Sequence, residues 1–243
     1  MKNKIALFLC LLALCSISAI PCSADAPELV VMIYMCGSNL ESGYGRASDD
    51  LKEMLSAQPD PSKVEVLVMA GGSEAWDLDL DPEKLTILRI GKRGLEEEYA
   101  CEKRDMGDPD TLTFFLKYCM ENKPGNRYAL ILWDHGCGPQ GGVCLDENFS
   151  MDSLTIHELA GALDHAQMPQ KLEWIGFDAC MMGSVEVAAA AAPYAKYMIA
   201  SQEKEPGRGW NYGFLHGMDD FSGAAAGKRL IDSYFPLTTE KRS

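Results

Sequence analysis

Short, almost uninterrupted apolar runs, separated by segments with recognisable helix starts, predict an α/β fold with a mostly parallel central sheet. Three observations carry this. Runs such as Leu29-Val30-Val31-Met32-Ile33-Tyr34-Met35 lack the alternation of a half-exposed strand, so both of their faces must be covered. Strand-like and helix-like segments alternate along the chain, the order that feeds parallel strands through helical crossovers. With 243 residues, 47% hydrophobic and 24% charged, the chain has the length and composition to bury such a sheet.

The first segment, 1–24, reads as a signal peptide rather than as part of the fold. Lys2 and Lys4 supply a positive start, an apolar run follows to Ile20, and Cys22-Ser23-Ala24 offers small residues for cleavage. The apolar run is short for a membrane span. A mature domain, 25–243, is therefore expected outside the cytoplasm, secreted or otherwise extracytoplasmic, with no membrane contact after signal removal.

Strands are expected at 28–36, 63–71, 84–91, 128–134, 172–178 and 197–201, each bounded by turn residues. Helices fall between them. One covers 47–57. Asp108 before Pro109 is an N-cap followed by proline at the first helical position, leading into 111–121. Thr155-Ile156-His157-Glu158 is a capping box that opens a helix to about Ala166, and the alanine-rich 184–192 forms another. The tail from about Gly223 shows no clear closing element, the pattern either of a domain truncated at its C-terminal side or of a gene product shorter than its relatives.

Twenty-two Lys and Arg against 36 Asp and Glu give a net charge of −14. That balance excludes a general nucleic-acid or membrane-surface binder; an acidic surface favours cationic partners or simply aids solubility, and the chain is expected to be a monomer. Of nine cysteines, Cys10, Cys15 and Cys22 belong to the leader, leaving Cys36, Cys101, Cys119, Cys137, Cys144 and Cys180. An even count in an exported chain allows disulfides, and Cys137 and Cys144 flank a Gly-rich turn where a local bridge fits. No Cys-x-x-Cys spacing points to structural zinc. Asp77, Asp79 and Asp81 alternate on an extended segment and are read either as a solvated acidic loop or as carboxylates converging on calcium.

Two apolar runs end in chemically capable side chains: 129–136 closes on Asp134-His135-Gly136, and 174–180 on Asp178-Ala179-Cys180. Ligands in open parallel sheets sit beyond the carboxyl ends of the strands. A thiol and an imidazole delivered there together are the equipment of thiol nucleophilic catalysis. Cys180, between a strand end and the start of a helix, is placed where backbone N–H groups and the helix field favour a thiolate. His135 is the proton donor to a leaving amine. The backbone N–H groups of Gly136 and Cys180 are the expected oxyanion hole, since a residue without a side chain permits close approach. Each residue also has a plain reading, a buried packing cysteine and a structural histidine. His157, His165 and His216 have no such partners and read as surface or structural.

Around these residues the chain resembles the clostripain family of cysteine peptidases, within the wider group that holds caspases, gingipains, legumains and separase. The resemblance rests on Asp134-His135-Gly136 and on Phe177-Asp178-Ala179-Cys180-Met181-Met182-Gly183. Further blocks are Tyr34-Met35-Cys36-Gly37-Ser38-Asn39-Leu40-Glu41, Leu154-Thr155-Ile156-His157-Glu158-Leu159, Ala200-Ser201-Gln202-Glu203 and Pro206-Gly207-Arg208-Gly209-Trp210. It implies a caspase-like α/β/α sandwich, a His135/Cys180 dyad, no metal in the site, and hydrolysis of protein or peptide substrates after Arg or Lys.

Within that resemblance Asp178 is the carboxylate expected to meet a basic P1 side chain, with Ser201, Gln202 and Arg208 on the loop completing the pocket. Some relatives carry a second acid near the Pro-Gly-x-Gly-Trp segment, whereas Arg208 occupies x here. Relatives also cut themselves at a basic residue between the His and Cys blocks; here the only one is Lys171, just before an expected strand. Activation by such a cut is therefore not expected. The resemblance also keeps calcium open as a ligand. The competing readings are a catalytically inactive caspase-like module that binds peptides, and a structural exported domain in which Cys180 is bridged.

Overall fold

A computed structural model of the chain describes residues 26–239. The expected signal segment lies outside the described residues. The sheet has seven strands in the order β4-β3-β2-β1-β5-β8-β9. Its middle is β1 (Leu29–Cys36), all eight residues of which are buried. After β1 the chain forms α1 (Ser38–Tyr44) and α2 (Arg46–Ala57) and returns as β2 (Val64–Gly71), parallel to β1. β3 (Lys84–Gly91) and β4 (Gly94–Glu102) then extend that side antiparallel.

The chain next crosses to the other side of β1. Helix α3 (Pro109–Asn122) leads into β5 (Tyr128–Trp133), parallel to β1. A short turn of helix, α4 (Gly138–Gly141), precedes a two-stranded hairpin of β6 (Val143–Asp146) and β7 (Asp152–Leu154) that stands apart from the main sheet. Helix α5 (Ile156–Ala166), β8 (Trp174–Asp178), α6 (Val185–Ala191) and β9 (Met198–Ala200) follow, β8 and β9 both running parallel to β5. Helix α7 (Gly223–Thr239) ends the described chain. Strand order thus reverses between β1 and β5, and the crevice beyond their carboxyl ends is where an open α/β sheet binds ligands.

Alternation along β1 divides the core in two. Val30, Met32, Tyr34 and Cys36 face α3, α5 and α6, while Leu29, Val31, Ile33 and Met35 face α2, α7 and the 210–218 segment. Layers on both faces explain the uninterrupted apolar runs. The helix starts follow the expected chemistry: Asp108 accepts from Asp110 N at 2.8 Å ahead of Pro109, and Thr155 and Glu158 form both bonds of a capping box. Each such cap contributes about 1 kcal/mol.

The sheet is mostly parallel, as expected, with β3 and β4 running antiparallel at one side. Two expectations change. The tail does contain a closing element: α7 buries Ala226 and Leu230 against the second core layer. Cys137 and Cys144 are not bridged, and the six cysteines among the described residues are all free thiols. Cys144 is buried with its sulfur directed to Trp133 O at 3.9 Å, whereas Cys137 is exposed, so the two side chains leave the turn in different directions.

Candidate active site

Strands β5 and β8 pair in parallel with Trp133 opposite Asp178. One more bond, Asp134 N to Asp178 O at 3.3 Å, continues the ladder past the last rung. His135 and Cys180 therefore leave adjacent strands at the same level, and both line one cleft of about 200 Å3 with Asp178, Glu205, Arg46 and Arg208.

His135 is half-buried, and its Nε2 lies 2.7 Å from Asn39 Oδ1. Burial holds its imidazole below the usual range, which keeps the ring neutral and able to accept a proton near neutral pH. Gly136 is obligatory: a Cβ there would sit 2.1 Å from Cys180 O. The glycine lets the His-bearing and Cys-bearing segments touch. Gly136 faces Val143 in an isolated antiparallel bridge closed by Cys137 N to Gly142 O and Cys144 N to His135 O. Its own N–H is not used in that pairing.

Cys180 is half-buried, and its sulfur accepts a hydrogen bond from Glu205 N at 3.3 Å. This differs from the expected helix field. Helix α6 begins at Val185, and Ser184 caps it with its own oxygen accepting from Val187 N, so the helix N-terminus is satisfied away from the thiol. The donor that the sulfur meets is instead an amide of the 201–209 segment. Met181, directly after the cysteine, holds a left-handed φ of 59°, a conformation a non-glycine residue adopts at some cost. Met181 N to Glu203 O (3.1 Å) and Gly183 N to Ser201 O (2.7 Å) pin that turn to the same segment.

Asp178 is buried and accepts from Trp210 N and Tyr212 Oη, each at 3.1 Å. Burial, then the neighbouring Asp50 and Glu205 carboxylates, push its carboxyl well above the ordinary range. Glu205 sits beside it, with Oε1 accepting from Trp210 Nε1 at 3.3 Å and Oε2 buried without a hydrogen-bond partner among the described residues. Burial raises Glu205 from 4.5 to about 7. Sequence reasoning missed Glu205: it directly precedes the Pro206–Trp210 block but, as a charged loop residue, carries no signal of its own.

The remaining expected site residues divide. Arg208 is exposed at the mouth of the cleft and forms no ion pair among the described residues. Ser201 and Gln202 do not line the cleft. Ser201 Oγ is engaged locally, donating to Glu203 O at 2.9 Å and accepting from Glu203 N at 3.1 Å, and Gln202 is exposed. Asp77, Asp79 and Asp81 are exposed, and among the described residues no group of three His, Cys, Asp or Glu is placed to hold a metal ion. His157, His165 and His216 are exposed and outside the cleft.

Comparison with known proteins decides the family. The model of the clostripain family, peptidase family C11, matches residues 33–242. The chain belongs to the clostripain family. Clostripain of Hathewaya histolytica is 27% identical over 221 residues, covering 76% of this chain and 41% of that protein. Two solved structures share the fold of this clostripain-family chain. One is a secreted C11 cysteine protease from Bacteroides thetaiotaomicron in complex with an irreversible peptide inhibitor, with a TM-score of 0.72 at 21% identity over 89% of this chain and 60% of that one. The other is an inactive zymogen C11 protease from Parabacteroides distasonis, with a TM-score of 0.64, 21% identity and the same coverage. This chain thus spans roughly two fifths to three fifths of the length of these relatives.

Proposed function

We propose that this chain is an exported cysteine endopeptidase that cleaves peptide bonds after Arg or Lys, with Cys180 as nucleophile and His135 as proton carrier. The observation that carries the reading is the shared level of His135 and Cys180 at the ends of paired strands, in one cleft with an acidic floor. Neutral His135 takes the thiol proton, and the Cys180 sulfur attacks the scissile carbonyl. The N–H groups of Gly136 and Cys180 receive the developing oxyanion. The imidazolium then protonates the leaving amine, leaving an acyl-enzyme that water hydrolyses.

The buried pair of Asp178 and Glu205 supports a basic P1 residue. Two carboxyls whose ionisation burial disfavours gain a reason to ionise when a guanidinium or ammonium enters, giving charge-assisted hydrogen bonds in a partly dry site. Arg208, exposed at the rim, does not neutralise them. Export rests on the leader-like segment 1–24 and on a secreted structural relative.

The test uses Cys180→Ala and His135→Ala against fluorogenic peptides ending in Arg or Lys, with a positional-scanning library for P1. Both variants should lose cleavage while keeping the wild-type unfolding midpoint. Full activity in Cys180→Ala would end the proposal.

A further inference from the structure

The imidazole of His135 is not held by the strand that carries it. Its Nε2 meets Asn39 Oδ1 at 2.7 Å, and Asn39 comes from β1's side of the switch point, three residues beyond the end of that strand. One residue earlier in both segments a second bond runs the same way, Ser38 Oγ to Asp134 Oδ1 at 2.5 Å. The dipeptides Ser38-Asn39 and Asp134-His135 are thus braced across the crevice by two consecutive side-chain bonds. We propose that Asn39 is a positioning residue for His135, fixing its tautomer and ring orientation, and that Ser38–Asp134 is the buried anchor which places Asn39. The catalytic meaning of this brace rests on the peptidase reading above.

The buried half of the brace is rigid. Ser38 adopts a left-handed φ of 46°, its N–H donates to Gly72 O at 3.0 Å, and its carbonyl accepts from Ser73 Oγ at 2.9 Å. Asp134 uses its second oxygen to accept from Leu145 N at 2.6 Å, tying the His segment to β6. Ser38 and Asp134 are buried, whereas Asn39 is exposed and reaches the ring from outside. A residue in a disfavoured backbone conformation persists where its surroundings over-determine it.

The chemistry follows from the donor inventory. An amide carbonyl oxygen only accepts, so the ring must donate from Nε2. Neutral His135 then carries its lone pair on Nδ1, and that atom alone can take the proton of the Cys180 thiol. Without Asn39 the proton is free to sit on either nitrogen, and the ring is free to turn about Cβ–Cγ. Part of the population then presents the wrong atom to the sulfur. Asn39 also favours the imidazolium form, whose Nε2–H is the stronger donor. The ionisable groups that share the cleft with His135 are Cys180, Asp178, Glu205, Arg46 and Arg208, and an exchange at position 39 leaves all of them in place.

The experiment pairs Asn39→Leu with Asn39→Asp. Nitrogen-15 NMR of the unreacted proteins reads the His135 tautomer, and pH profiles of kcat and KM read the consequence. Wild type should show protonation at Nε2. Asn39→Leu should show a tautomer mixture, a kcat lower by about 3- to 10-fold with little change in KM, and an acid limb moved to lower pH. Asn39→Asp keeps an acceptor and adds charge, so it should restore the tautomer and move the limb to higher pH. A single Nε2 tautomer together with wild-type kcat and limb in Asn39→Leu would overturn the proposal. If wild type cleaves no peptide, the peptidase reading fails while the tautomer measurement still decides whether Asn39 sets the ring.

Discussion

Trp133 and Asp178 face each other on the last shared rung of β5 and β8, and His135 and Cys180 each lie two residues beyond it. The register of one strand pair therefore sets the relation between His135 and Cys180. A slip of one residue would carry each side chain of the strand to the opposite face and part the two groups. The rung is itself well fastened. Trp133 Nε1 donates to the buried Asp50 at 2.7 Å, and Asp178 takes bonds from Trp210 and Tyr212.

Gly136→Ala tests the contact between the two segments. The added methyl group would meet Cys180 O at 2.1 Å, with Met182 Cγ and Ala179 Cβ also closer than ordinary contact. Backbone on the far side cannot yield cheaply. The variant should lose about 1–3 kcal/mol of stability, typical of overpacking, and most of its activity. Urea unfolding and alkylation rate at Cys180 check the two effects separately.

Glu205→Gln tests the acidic hollow through stability. Glu205 rises from 4.5 to about 7, so the folded protein binds more protons than the unfolded chain between those values. Stability from this group is then fully present below the unfolded value and falls as pH climbs toward 7. The cost above pH 7 reaches at most about 3 kcal/mol. Glu205→Gln should accordingly melt higher than wild type at pH 8 and close to it at pH 4. Equal melting temperatures at both pH values would show that Glu205 ionises as it does in water.

Specificity separates Asp178 from Arg208. Asp178→Asn should lower kcat/KM for Arg substrates by about 10- to 100-fold, the value of one charge-assisted bond, while uncharged P1 residues change little. Gly209 works with it, since a Cβ there would crowd Asp178 Oδ1 at 2.9 Å and its φ of 64° disfavours any side chain. Arg208→Ala should shift P1 preference by less than about three-fold, as exposed charges contribute little. A switch from acidic to basic P1 preference in Arg208→Ala would assign the arginine a far larger part.

Self-cutting after a basic residue should not occur between residues 136 and 153. That segment contains no Lys or Arg and is taken up by α4, β6 and β7. Lys171, the remaining candidate, is followed by Leu172, whose N–H and carbonyl are both bonded, to Tyr194 O and Lys196 N. Cleavage there requires local unfolding. N-terminal sequencing of the active protein would contradict this if it returned a start within 136–153.

Legibility in the sequence followed burial. β1, β5 and β8 stand out because every residue in them is covered, and the His and Cys that end them are visible as interruptions of an apolar run. β4 was missed because Glu96-Glu97-Glu98 lies on a half-exposed edge and reads as a solvated loop. α7 was missed because Gly223 and Gly227 weaken its helical pattern, while its anchors, Ala226 and Leu230, are few. Asn39 lay inside a recognised block, but its meaning depends on β1 and β5 being neighbours, which no local pattern states. Glu205 is an ordinary surface residue type whose chemistry comes wholly from the burial that the fold imposes.

Glu205 serves two places at once, its carboxylate in the acidic hollow and its amide on the Cys180 sulfur. Thermodynamic reciprocity then ties the two. If a bound guanidinium shifts the thiol–thiolate equilibrium by some factor, ionising the thiol must shift guanidinium affinity by the same factor. Recognition of the side chain before the scissile bond and readiness of the nucleophile are on this view a single coupled equilibrium, read equally well from either end.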